Sequence, residues 1–193
     1  MKSKTLFALV SFTWLLFCPS CSCKKQSANP IDRLPPETQT GANTFGCLVN
    51  GEVFVPRGPS LSPILTCYYQ YLNTDYSNSK GYFFQVHAIR KGSKDCELTA
   101  ISIDTDSLTI EERKEIDLKL IIKGTAGGRY SYYPDCGLSV DYITTNSKFG
   151  KLYIKKFDQT KQIVSGTFWF NAVNANGDTV KVTDGRFDML YTR

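Results

Sequence analysis

The sequence predicts an all-β protein, an antiparallel β-sandwich or barrel-like domain of about ten strands with at most one short helix. Three observations predict it. Segments rich in β-branched and aromatic residues recur at short intervals, and clusters of Asn, Asp, Gly, Ser and Lys separate them. Two Asn-Gly dipeptides sit between apolar runs, where hairpins need them. No long segment carries a helical period and no internal repeat is present, so closely spaced turns argue for antiparallel neighbours.

Two segments of different character precede the domain. Lys2 and Lys4 make a basic start, residues 6–17 are an uncharged apolar run, and small residues and cysteines follow. That run is about a dozen residues, short of the roughly 20 that span a bilayer. It therefore reads as the core of a secretory signal and not as a permanent span. The stretch ending in Cys18-Pro19-Ser20-Cys21-Ser22-Cys23 resembles bacterial lipoprotein precursors, in which a small residue precedes a cysteine that is acylated. The Cys23-Lys24-Lys25 start resembles that of Bacteroidetes lipoproteins, which makes Cys23 the expected lipid anchor, with Cys21 as the alternative. Residues 1–23 are thus expected to be a lipoprotein signal peptide with its acylated cysteine. Lys24 and Lys25 favour an outer-membrane anchor facing the periplasm, because surface-export signals in that group are acidic at this place.

Residues 24–43 contain three prolines, many polar residues and few large apolar ones. Such a segment buries too little surface to offset its ordering entropy, so a flexible tether is expected. Residues 44–193 remain as one β domain of about 150 residues, a size that buries near 70% of its unfolded surface. Losing Lys2 and Lys4 takes the formal net charge from +5 to +3. No basic run longer than two residues follows, so nucleic acid is excluded as a partner. Four cysteines lie beyond the leader: Cys47, Cys67, Cys96 and Cys136. In an oxidising compartment an even number predicts two disulfides, and sequence leaves all three pairings open.

The strands follow in order. Residues 45–49 and 52–56 flank Asn50-Gly51, a type I′ turn signal, and both faces of that ribbon are apolar, which predicts cover on both sides. Further strands are expected at 65–72, 81–90, 96–104, 129–133, 138–145 and 151–157. Residues 108–120 are expected as a helical turn feeding a strand, because Thr109 and Glu112 make a capping box and Ile116, Leu118 and Leu120 alternate. The last hairpin is specified most sharply. A three-residue loop, Ala175-Asn176-Gly177, pairs Ala172 with Val180 and Phe170 with Val182. A slip of one residue would expose half of those apolar groups. Gly177 then takes the left-handed position. A final strand is expected at 186–191.

Candidate chemistry is sparse. His87 is the one histidine, on a strand face with Phe83, Gln85 and Ile89, and no nucleophile elbow accompanies it. Asp104, Asp106, Asp135, Asp141 and Glu111-Glu112 fall mostly at turns, where carboxylates serve local hydrogen bonds. Asn171, Asn174, Asn176 and Asp178 are rich in oxygen but hold one carboxylate, too little charge for tight calcium binding. No catalytic residue, metal or cofactor is expected. The hairpin register turns Trp169 outward, beside Thr167 and Asn171 and across from Lys181 and Thr183. An exposed Trp on a sheet face suits stacking on a sugar or a protein contact. Trp169, Asn171 and Lys181 are therefore the expected ligand contacts. Tyr68, Tyr69, Tyr71, Tyr76 and Tyr82 crowd a second region.

The block at 150–191 is similar to the C-terminal part of an uncharacterised Bacteroidetes lipoprotein family of all-β domains of unknown function. The shared elements are Ser165 to Phe168, Asn176-Gly177 and Thr183 to Asp188. That resemblance implies fold and compartment and carries over no active residue. The functional expectation is a non-catalytic binding or accessory module of the bacterial envelope. Its partners are the membrane, through a covalent lipid, and a glycan or an envelope protein. The alternatives are a carboxylate-dependent enzyme that degrades polysaccharide and a purely structural or inhibitory envelope protein.

Overall fold

The computed structural model describes residues 29–58, 63–74, 79–94 and 96–193. The expected signal segment and both expected anchor candidates, Cys21 and Cys23, lie outside those residues, as does Tyr76. Eleven strands form the domain among the described residues: β1 Thr44–Val49, β2 Glu52–Phe54, β3 Leu65–Thr74, β4 Ser79–Lys91, β5 Leu98–Asp106, β6 Lys114–Leu118, β7 Thr125–Tyr133, β8 Val140–Ile143, β9 Gly150–Asp158, β10 Ile163–Val173 and β11 Thr179–Leu190. One short 3₁₀ turn, Pro30–Arg33, precedes them. The order across the sheet is β2-β1-β11-β10-β9-β6-β7-β5-β4-β3, and β8 bridges β7 to β10. Strands β6, β7, β8, β9 and β10 thereby close a five-strand barrel. Every pairing between strands is antiparallel except the short contact of Leu118 with Ala126.

Alternation places the core. Along β10, Phe168, Phe170 and Ala172 are buried while Thr167, Trp169 and Asn171 turn outward. Phe84, Val86 and Ala88 of β4 and Ile101 and Ile103 of β5 meet them from across the molecule, all fully buried. Phe170 fits because Gly128 lies beside it: a Cβ there would stand 2.7 Å from its ring. The last hairpin has the expected register, with Ala172 opposite Val180 and Phe170 opposite Val182. Gly177 has φ +88°, the left-handed value that its loop position requires. Asn50 and Gly51 have φ +50° and +85°, as a type I′ turn demands.

Three expectations are corrected. No helix forms in 108–120. Glu112 accepts a hydrogen bond from the Phe157 amide at 2.9 Å, so the expected cap is spent on β9 and only the strand half, β6, appears. One disulfide forms among the four cysteines, Cys96 to Cys136, tying the approach to β5 to the loop after β7. Cys47 and Cys67 are buried free thiols on β1 and β3, strands that do not pair with each other. Burial pushes both thiols far above their ordinary pKa. Finally, residues 29–43 of the expected tether lie against the barrel. Leu34 is buried, and Pro35 sits so close over Gly46 that a Cβ there would meet its Cδ at 2.6 Å. This strap supplies the outer cover that the apolar faces of β1 predict.

The strap is fastened by one carboxylate. Asp188, on β11, accepts hydrogen bonds from Thr38 Oγ1 at 2.6 Å, the Thr40 amide at 2.9 Å, the Gly41 amide at 2.7 Å and the Ala42 amide at 3.2 Å. Burial pushes its pKa up, but these hydrogen bonds outweigh burial and hold the carboxyl below its usual value.

Candidate functional site

The outward side of β6, β9, β10 and β11 presents a lattice of side chains whose positions follow from strand register. One row runs Asp117, Lys151, Trp169 across β6, β9 and β10. The next runs Glu115, Tyr153, Thr167, Arg186 from β6 to β11. A third holds Asn171 opposite Lys181, with Phe149 beside them through the hydrogen bond from the Asn171 amide to its carbonyl. A β-bulge interrupts the pairing of β10 with β11 here. Between Phe168 and Phe170 there is one residue, Trp169, while Thr183 and Asp184 both stand opposite it. Asp184 has φ +54°, an uncommon conformation that Asp tolerates better than most residues. A groove of about 460 Å³ lies beside the bulge, with Trp169, Asp184, Gly185 and Arg186 in its lining.

Three aromatic side chains stand along this face. Trp169 is 38% exposed, Tyr153 37% and Phe149 49%, with the Phe149 and Trp169 rings 6.1 Å apart. Charged groups hold one another between them. Lys151 Nζ lies 2.8 Å from both Glu115 Oε1 and Asp117 Oδ1. Asp117 and Glu115 raise the Lys151 ammonium above its ordinary pKa, and Lys151 lowers that of Asp117. Lys155 pairs with Glu37 of the strap, and Arg186 Nε donates to the Asp184 carbonyl at 3.4 Å. The groove is lined by three carboxylates, Glu37, Glu115 and Asp184, and three cations, Lys151, Lys155 and Arg186. Its charge is balanced, and it offers donors and acceptors around aromatic faces.

The structure brings Trp169, Asn171 and Lys181 onto this one face, as their register requires. Sequence reasoning missed Lys151, Tyr153, Glu115 and Arg186. They sit on strands whose order in the sheet no local pattern reveals, although the outward parity of β9 is a signal that could have found two of them.

The remaining candidates have local partners. His87 lies opposite Thr66 and Ser102 on the outer side of β4. Burial pushes its imidazole below the usual pKa against the pull of Asp104. Ser102 gives its hydroxyl to Asp104 at 2.6 Å, which places it on the carboxylate. Asp141 takes the Ser131 hydroxyl at 2.5 Å and faces Arg129 at 3.7 Å. Asp135 caps the Gly137 amide, and Asp106 accepts from Ser107. In the oxygen-rich turn, Asn174 Oδ1 accepts from the amides of Asn176 and Asp178 while its Nδ2 donates to Asp178. That network is turn chemistry. Among the described residues, no group of three His, Cys, Asp or Glu is placed to hold a metal ion. On β3 and β4, Tyr82 stacks on Tyr69 with centroids 4.9 Å apart and meets Tyr71 edge-on.

No curated protein and no solved structure matches the chain. A family model does match, over residues 94–190, a span that carries every groove residue named above except Glu37. That span is just over half of the 193 residues, and the chain belongs to this family, the domain of unknown function DUF6252.

Proposed function

We propose that the protein is a non-catalytic binding module of the bacterial envelope and that its ligand is a neutral glycan held on the Trp169 face. The observation that supports this reading is the lattice around Trp169: exposed aromatic faces flanked by charged groups, of which Lys151 and Lys155 are already held by carboxylates. Aromatic faces stack on the apolar side of a sugar ring, and the surrounding carboxylates and amines suit its hydroxyls. Because Lys151 is held between Glu115 and Asp117, those groups need little ordering when a ligand arrives. Balanced charge argues against a strongly anionic or cationic polymer, which would leave half of the groups without complement.

The compartment is part of the same proposal and rests on residues 1–23. A lipid on Cys23, with Cys21 as the alternative, would attach the chain to the outer membrane facing the periplasm, and the groove would then meet envelope or imported polysaccharide. A thermal-shift screen of the protein against neutral oligosaccharides, charged oligosaccharides and peptidoglycan fragments tests the ligand class. A ligand at about 100 times its dissociation constant stabilises the native state by roughly 2.7 kcal/mol. A neutral oligosaccharide is expected to raise Tm for the native chain and not for Trp169→Ala. A response limited to charged polymers, or one unchanged by Trp169→Ala, contradicts the reading.

A further inference from the structure

The sheet has a seam. Where its two terminal strands, β2 and β3, leave the order open, isolated bridges join Arg57, after β2, to Arg90 of β4 and Tyr68 of β3 to Thr192, after β11. Between them lies an open groove of about 830 Å³, within the size range of small-molecule sites. Val55 and Pro56 form one wall and Ile64 and Leu65 the other. At the floor are core residues: Phe45 and Met189 are each 2% exposed. The groove therefore rests on the apolar core.

We propose that this seam binds a single-chain anionic amphiphile, of which a fatty acid is the simplest member. Two observations select that chemistry. Pro35, Pro56 and Pro63 all line the groove, and none of them can donate a backbone hydrogen bond. A peptide strand laid here would leave polar backbone groups without partners, which is costly away from water, whereas an acyl chain needs no partner. The second observation is charge. Among the described residues, Arg33 is the one charged side chain in the lining, which holds no carboxylate, and Thr44, Thr66 and Thr192 add hydroxyls. The rim thus complements a carboxylate or phosphate head. Arg33 is carried by the strap that Asp188 fastens to β11, which keeps the cation beside the groove.

The test uses the full-length protein stripped of bound lipid and titrated with cis-parinaric acid, a fluorescent fatty acid, with palmitate and hexadecanol as competitors. Saturable one-to-one binding is expected, displaced by palmitate at least tenfold more effectively than by hexadecanol. Val55→Trp, which fills the groove, abolishes it. Arg33→Glu weakens palmitate at least tenfold and leaves hexadecanol unchanged. Leu65→Trp serves as a second filler, and circular dichroism checks that each variant folds. Absence of saturable binding, or binding that survives a folded filler variant, overturns the site. Equal affinity for palmitate and hexadecanol overturns the anionic head. Sedimentation showing a dimer that Val55→Trp dissolves assigns the groove to a second copy and also overturns the proposal.

Discussion

Asp188 illustrates how much one side chain decides. It stands in β11 between Phe187 and Met189, both buried, where an Asp has no place unless its carboxylate is satisfied. Four residues of the strap satisfy it. Replacing a carboxylate that takes several hydrogen bonds costs about 2–3 kcal/mol, so Asp188→Asn is expected to release residues 38–42 while the barrel stays folded. Hydrogen exchange at the Thr40, Gly41 and Ala42 amides measures that release. The pH dependence has a definite sign. The folded pKa is depressed, so the contribution is present above the unfolded value of about 3.9 and is lost as pH falls through the lower folded value. The same amides are therefore expected to lose protection in acid below that range, and unchanged protection would contradict the latch. The signal is visible in the sequence as a charged residue in an apolar strand, but its partners lie about 150 positions away.

At the scale of elements, the last hairpin is legible because its period and its turn residues agree. Only one register buries Phe170, Ala172, Val180 and Val182 together. A Cβ at Gly177 would meet nothing within 4 Å, so Gly177→Ala faces only the backbone penalty of its positive φ. The expected loss is about 1–2 kcal/mol in urea denaturation. Phe170→Ala, in contrast, empties a fully buried site and is expected to cost about 3–5 kcal/mol. The segment at 108–120 misleads because Thr109 and Glu112 have the spacing of a cap. Glu112 instead finds the Phe157 amide on a strand far along the chain, and that tertiary bond wins over local propensity. The cysteines divide by environment in the same way. Reducing Cys96–Cys136, which closes 40 residues, is expected to lower stability by about 2–4 kcal/mol. Cys47 and Cys67 are expected to resist alkylation until the protein unfolds, because their buried thiols are hard to ionise. Urea denaturation with and without reductant checks the first statement, and mass spectrometry after labelling with and without denaturant checks the second.

At the scale of the whole molecule, strand order is hidden from the sequence. The strand count and the all-β class follow from composition and turn spacing, but nothing local shows that β6 slips between β9 and β7, or that β8 bridges β7 to β10. That order places Glu115 and Asp117 beside Lys151 and so builds the charged surround of Trp169. The outward turn of Trp169 can be read from one hairpin, while the rest of its face requires four strands. The two proposed sites lie on separate parts of the domain, the outer face of β9 to β11 and the seam beside β3, so their ligands can be told apart by position. The most direct measurement is a chemical-shift map of the isotopically labelled protein titrated with the neutral oligosaccharide that gives the largest thermal shift. Perturbations are expected at Lys151, Tyr153, Trp169 and Arg186, including the Trp169 indole N–H. A map centred on Leu65 and Met189 in the seam, or an unperturbed Trp169, would contradict the glycan-binding face.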